Sequence, residues 1–212
     1  MYRSLFRLVL LLALCPLAQF VCAQPAVIMV LGDSLSAGYG LPQGKGWVDL
    51  LQQRLEREHY SYRVANASIS GDTTLGGRNR VTDALAQYRP RIVILELGAN
   101  DGLRGQALDA MRENLVAITR VCRAARAKVL LVGMRLPPNY GPDYTEKFHA
   151  SFAAVAKQTR APLVPFLLEG FAHRSDLFQA DGIHPGVEAQ NLMLDNVWAQ
   201  LQPLLTRPAH KR

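Results

Sequence analysis

Cysteine is scarce in this 212-residue chain, and its placement is uneven. Cys15 and Cys22 fall among the first 23 residues, and Cys122 stands alone in the remainder. A chain shortened by that leader has no intrachain disulfide, so a packed apolar core has to hold it together. Past the leader there is also no apolar run approaching the roughly 20 residues that a membrane-spanning helix needs. Charge of one sign is not concentrated either. The net charge of +7 is spread along the chain, apart from a small basic tail over residues 207–212 at Arg207, Lys211 and Arg212. A nucleic-acid footprint is a cluster, so that class of partner is excluded, whereas loose attraction to anionic membrane surfaces is compatible with this charge. No internal repeat, low-complexity tract or long linker interrupts the sequence. Solenoids and multidomain arrays are thereby excluded, and a monomeric single domain is the economical expectation.

What is present begins with the leader. Arg3 and Arg7 precede an apolar run from Leu8 to Leu14, Pro16 breaks it, and Val21-Cys22-Ala23 forms a small-x-small ending. This pattern predicts a signal peptide over 1–23 and an exported, periplasmic or secreted, domain over 24–206. A lipid anchor fits less well, because Leu14 and Val21 stand before the two leader cysteines where a small residue is needed.

Apolar runs recur at Ala26–Leu31, Tyr62–Ala65, Arg91–Leu97, Lys128–Gly133 and Leu163–Phe166. The strongest are apolar at successive positions rather than at alternate ones, as strands covered on both faces are. Between them lie stripes at helical spacing: Trp47, Leu51 and Leu55; Val81, Leu85 and Tyr88; Leu108, Met111, Leu115, Ile118 and Cys122; Phe148, Phe152 and Val155; Met193, Val197, Leu201 and Leu204. Cys122 reads as core on this pattern rather than as a reactive thiol. Strands alternating with helices imply an α/β fold with a parallel sheet, whose ligands bind at the carboxyl ends of the strands.

Polar clusters fall at that edge. Gly32-Asp33-Ser34-Leu35-Ser36 follows the first strand, Ser70-Gly71-Asp72 the second, and Gly98-Ala99-Asn100-Asp101-Gly102 the third. Asp181-Gly182-Ile183-His184-Pro185 precedes the last helix. Alone, Ser34 is a helix cap, His184 a surface histidine and Asn100 a turn former. Together they give a nucleophile, a base with an acid three residues away, and amide donors for a developing oxyanion. Each such donor is worth about 3 kcal/mol in the transition state. A proline-rich segment, Leu136 to Pro142, follows the fourth strand and reads as a loop at the same edge.

These blocks resemble the SGNH, or GDSL-type, hydrolases, within them the exported thioesterases, lysophospholipases and arylesterases. The matching segments are Gly32 to Tyr39, Asn66 to Thr74, Gly98 to Gly105, Leu136 to Gly141 and Asp181 to Pro185, and the likeness extends from about Val27 to Leu204. The resemblance implies a three-layer α/β/α sandwich with a five-stranded parallel sheet of flavodoxin-like type. It also implies Ser34 as nucleophile, His184 as base and then acid, Asp181 as its orienting partner, and Ser34, Gly71 and Asn100 as the oxyanion hole. No cofactor and no metal are expected. Two departures from the subgroup stand out: Ala99 replaces a glycine, and Leu75 to Arg80 is richer in glycine and arginine, which predicts an altered pocket wall.

Leu75, Leu103, Leu136, Pro137, Pro138, Tyr140 and Phe178 are the candidates for an apolar groove taking a small-molecule or lipid-like acyl ester or thioester. Other readings fare worse. Residues 32–36 end in Ser36 and so miss the G-x-S-x-G elbow of ordinary α/β-hydrolases. His59, His149, His173 and His210 fall outside ligand motifs, which weakens a metallophosphoesterase. A flavin binder of the same layering leaves the acid–base pair unexplained. An acyltransferase, a carbohydrate O-acetyl esterase or a non-catalytic lipid or carbohydrate-binding module of this fold remains as an alternative.

Overall fold

The computed structural model describes residues 24–206; the predicted signal peptide and the basic tail lie outside them. Five strands form one parallel sheet: β1 (Ala26–Gly32), β2 (Tyr62–Asn66), β3 (Ile92–Glu96), β4 (Lys128–Val132) and β5 (Leu163–Val164), in the order β2-β1-β3-β4-β5. Every pairing is parallel. Helices connect the strands: α1 (Ser34–Ala37), α2 (Trp47–Arg57), α3 (Thr74–Tyr88), α4 (Ala99–Leu103), α5 (Leu108–Ala124), α6 (Pro142–Thr159) and α7 (Gln190–Leu201).

The unbroken apolar strands are explained by two cores. Ile28, Val30, Ile92, Ile94, Leu130 and Val132 pack against Trp47, Leu51 and Leu55 of α2 and Met193, Val197 and Leu201 of α7. The intervening residues Met29, Leu31, Val93, Leu95, Val129 and Leu131 face Val81 and Leu85 of α3, Leu115, Ile118 and Cys122 of α5, and Phe148 and Phe152 of α6. Alternate side chains of one strand thus enter opposite layers, as the pleat dictates. Burial pushes the Cys122 thiol up to about 12, which leaves it an inert core group.

Three local expectations change. The fifth strand stops at Val164 because Pro165 has no N–H for the ladder. The edge nevertheless stays closed, since Gly133 N donates to Val164 O at 2.8 Å and Leu167 N donates to Gly133 O at 3.0 Å. Leu204 lies not in the last helix but in a 3₁₀ turn beyond it, where Pro203 stands. The segment after β4 contains a 3₁₀ turn at Pro138–Tyr140 rather than open loop, and Pro142 starts α6 at a position that needs no N–H partner.

Candidate active site

Ser34 is the first residue of α1, directly beyond β1. Its neighbour Asp33 caps that turn by accepting from Leu35 N at 3.0 Å. The register places Glu96 of β3 beside Gly32. A Cβ on Gly32 would lie 2.7 Å from Glu96 Oε2 and 2.8 Å from Ser36 Oγ, so glycine is needed there for close approach rather than for a turn. Glu96 Oε2 in turn accepts from Ser36 Oγ at 2.7 Å and from Asp33 N at 3.3 Å. The turn carrying Ser34 is therefore held from beneath by a buried carboxyl group.

Gly182 allows the chain to double back between Asp181 and His184. Asp181 Oδ1 accepts from Ile183 N at 2.9 Å and His184 N at 3.0 Å, while Oδ2 lies 2.7 Å from His184 Nδ1. The backbone bond from His184, then the bond from its ring and that from Ile183, hold the Asp181 carboxyl down at about 2. An ionised carboxylate only accepts, so the Nδ1 proton belongs to the imidazole and Nε2 is free to accept. Nε2 lies 2.9 Å from Ser34 Oγ. The Tyr39 ring leans on the imidazole, with centroids 4.6 Å apart.

Asn100 sits in α4 rather than in an Asx turn. Its Nδ2 donates to Asp72 O at 3.0 Å and to Asp33 Oδ2 at 3.2 Å. Gly71, at φ 79°, occupies the left-handed region that glycine adopts freely. Ser34, Gly71, Asn100 and His184 line one cavity of about 280 Å³. Asp101, beside Asn100, is buried and accepts from Thr74 N at 2.9 Å and from the Thr74 hydroxyl at 2.5 Å. It thereby ties the helix of Asn100 to the start of α3, just after the Gly71 loop.

A second cavity of about 590 Å³ adjoins the first, sharing Ala99, Leu103, Met134 and Ile183 with it. Leu103, Leu136, Pro137, Pro138, Tyr140 and Phe178 line it, as do Phe166, Leu168 and His173, which the sequence reading missed. Leu75 lines neither cavity: Thr73 caps α3, and Leu75 stands exposed in its first turn. The expected change of pocket wall at Gly76 and Gly77 is likewise corrected, since both lie within α3. Gly77 packs against Leu97, where there is no room for a Cβ. The Ala99 methyl, by contrast, belongs to the wall where the two cavities meet.

The sequence reading also missed the depth of the carboxyl pair beneath Ser34. Burial pushes Asp33 up to about 6, and burial together with the nearby Asp33 charge raises Glu96 well above the usual carboxylate range. One signal was available, an acidic residue ending an otherwise apolar strand. Among the described residues no three His, Cys, Asp or Glu side chains are grouped as metal ligands would be.

Residues 30–192 match the family model described as the GDSL-like lipase/acylhydrolase family. The chain belongs to this family of hydrolases. It is similar to the esterase TesA of Pseudomonas aeruginosa, with 52% identity over 194 residues, 92% of this chain and 96% of that protein. The thioesterase 1/protease 1/lysophospholipase L1 of Escherichia coli (strain K12) is 40% identical over 204 residues, 96% of this chain and 97% of its own. The structure of the psychrotrophic esterase EstA from Pseudoalteromonas sp., inhibited by monoethylphosphonate, superposes with a TM-score of 0.80 at 43% identity. It covers 84% of the hydrolase chain and 97% of the EstA chain.

Proposed function

We propose that this hydrolase cleaves acyl esters and thioesters through Ser34, His184 and Asp181, with an acyl-enzyme intermediate. The observation that carries the reading is the unbroken chain of contacts, Ser34 Oγ to His184 Nε2 at 2.9 Å and His184 Nδ1 to Asp181 Oδ2 at 2.7 Å. His184 takes the serine proton as Oγ attacks the acyl carbonyl, and Asp181 stabilises the imidazolium that forms. Protonated His184 then delivers that proton to the departing alcohol or thiol. Water, deprotonated by the same imidazole, attacks the acyl-enzyme and releases the acid.

The oxyanion is received by Ser34 N–H, Gly71 N–H and the Asn100 amide. The two hydrogens on Asn100 Nδ2 meet Asp72 O and Asp33 Oδ2 in the free enzyme, the latter at the longer 3.2 Å. The oxyanion competes with Asp33 for that hydrogen, so the donor strengthens its bond as charge develops, which is the differential binding that lowers a barrier.

The acyl chain occupies the 590 Å³ apolar cavity, and a leaving group departs past Tyr39, Ser70 and Gly71 on the other side. The names borne by the relatives (esterase, thioesterase, lysophospholipase) share one reacting carbonyl and support this broad substrate class. Residues 24–206 act as one exported domain after removal of the leader, and the mouth makes transient contact with lipid surfaces. Ser34→Ala is expected to lower kcat on a soluble short-chain aryl ester by at least about 10³-fold with an unchanged circular dichroism spectrum. Near-native turnover by that variant would overturn the mechanism.

A further inference from the structure

The cations around the active-site mouth are mostly engaged. Arg80 pairs with Asp72 at 2.7 Å. Arg135 lies 3.0 Å from His149 Nε2, with its guanidinium 5.8 Å from the centre of the Phe166 ring. Arg104 differs. It caps the end of α4, the helix that carries Asn100, and its exposed guanidinium donates from Nη2 to Gly71 O at 2.9 Å. Among the described residues it has no carboxylate partner. A guanidinium offers five N–H donors, so one bond to a carbonyl leaves most of them for a ligand.

Its position limits what that ligand is. The apolar 590 Å³ cavity takes the acyl side, so a charge near Gly71 meets the leaving side. One hydrogen bond from the oxyanion to Gly71 N, the span of that residue, and one further hydrogen bond to Arg104 together reach no more than about 9 Å. A phosphoryl group on the third carbon of a glycerol ester lies roughly 6 Å from the ester oxygen by bond lengths, within that reach. The nearest phosphate of a coenzyme A thioester lies roughly 15 Å from the sulfur along the extended arm, and comes within that reach only if the arm folds back on itself at a cost in conformational entropy.

We infer that Arg104 is the specificity-determining residue that receives a phosphoryl group carried on the leaving alcohol, three carbons from the scissile ester. The inference rests on the ester-hydrolase reading above. It assigns Arg104 to ground-state binding of the leaving group and leaves the bond-making steps to Ser34 and His184. Arg, with its planar fork, suits a phosphoryl group better than Lys, so Arg104→Lys should recover part of the recognition and Arg104→Gln none.

The test uses three substrates with one acyl chain, all below their aggregation thresholds: 1-octanoylglycerol, 1-octanoylglycerol 3-phosphate and octanoyl coenzyme A. At low salt, Arg104→Gln should lower kcat/KM for the phosphorylated glycerol ester about tenfold, through KM. The neutral ester and the coenzyme A thioester should change less than twofold. Added sodium chloride should erode the wild-type preference for the phosphorylated ester and leave the glutamine variant indifferent. An equal loss on both glycerol esters would overturn the proposal, reducing Arg104 to a prop for Gly71. A matching loss on octanoyl coenzyme A would overturn it through the distance argument. If the wild-type enzyme cleaved none of the three, the hydrolase reading would fall first and the Arg104 assignment with it.

Discussion

At the scale of single residues the site holds three carboxyl groups in two opposite conditions. Asp181 is bonded from both sides and remains ionised, whereas Asp33 and Glu96 lie buried, with Asp33 N donating to Glu96 Oε2 at 3.3 Å. A carboxyl whose folded-state pKa lies above its unfolded value holds its proton more tightly when folded. Its favourable contribution is complete below the unfolded value and is lost as pH rises through the folded one. Asp33 therefore withdraws stability between about 4 and 6, and Glu96 adds to the loss as pH rises through its own raised value. Glu96→Gln keeps an acceptor for Ser36 Oγ and Asp33 N but cannot ionise. It is expected to unfold in urea at pH 8 with a gain on the order of 1–3 kcal/mol over wild type, and with a much smaller gain at pH 5. An identical difference at the two pH values would mean that Glu96 carries no such strain. The sequence exposed Ser34, Asp181 and His184 through spacing and block order. It could not expose this pair, because Asp33 and Glu96 are 63 residues apart and meet only through the register of β1 with β3.

The elements translate these contacts into geometry, and their lengths were less legible than their existence. The apolar stripes identified α2, α3, α5, α6 and α7 because burial against a sheet needs that period. The helix of Asn100 has only five residues and no stripe, so a run bounded by Gly98 and Gly102 reads as a loop. It is helical because Gly102 lets α4 settle onto the α6 aromatics. A Cβ on Gly102 would lie 2.5 Å from Phe148 Cε2 and 2.9 Å from Leu136 Cδ2. Phe148 is fully buried and packs edge-to-face on Phe152, which gives it little room to retreat. Gly102→Ala is expected to cost about 1–3 kcal/mol by overpacking, outweighing the better helix propensity of alanine. Because α4 must shift to relieve the clash, kcat should fall more than KM rises, as the Asn100 donor leaves its place. Thermal unfolding and ester kinetics on the same preparation check both halves. A variant of native stability and native kcat would show that the ring moves instead.

For the whole molecule, the sheet fixes where everything meets: strand ends present Ser34, Gly71 and Asn100 along one edge, and α7 is preceded by the turn that returns His184 to it. That layout was readable from alternating strand and helix patterns, since a parallel sheet permits few other routes. The surface around the edge was not readable, because exposure of an apolar side chain depends on how loops close. Tyr39, Ile69, Leu75 and Ile183 are half exposed, at 53%, 52%, 53% and 50%, and all four lie on the segments that surround the mouth. Such a group of apolar side chains, on a chain that keeps 22 of the 24 Lys and Arg against all 17 Asp and Glu once the leader is removed, a net +5, supports the proposed transient contact with an anionic lipid surface. Ile69 and Leu75 line neither cavity, so their loss should not disturb reaction with a dissolved ester. Burying the exposed half of two such side chains is worth roughly 1–2 kcal/mol in transfer free energy. The double variant Ile69→Ser and Leu75→Ser is accordingly expected to sediment with anionic phospholipid vesicles about tenfold less strongly. Its kcat/KM should match wild type below the aggregation threshold of a long-chain substrate and fall severalfold above it. Equal activity of the two proteins above that threshold, with unchanged vesicle binding, would assign these side chains to the local packing of their loops instead.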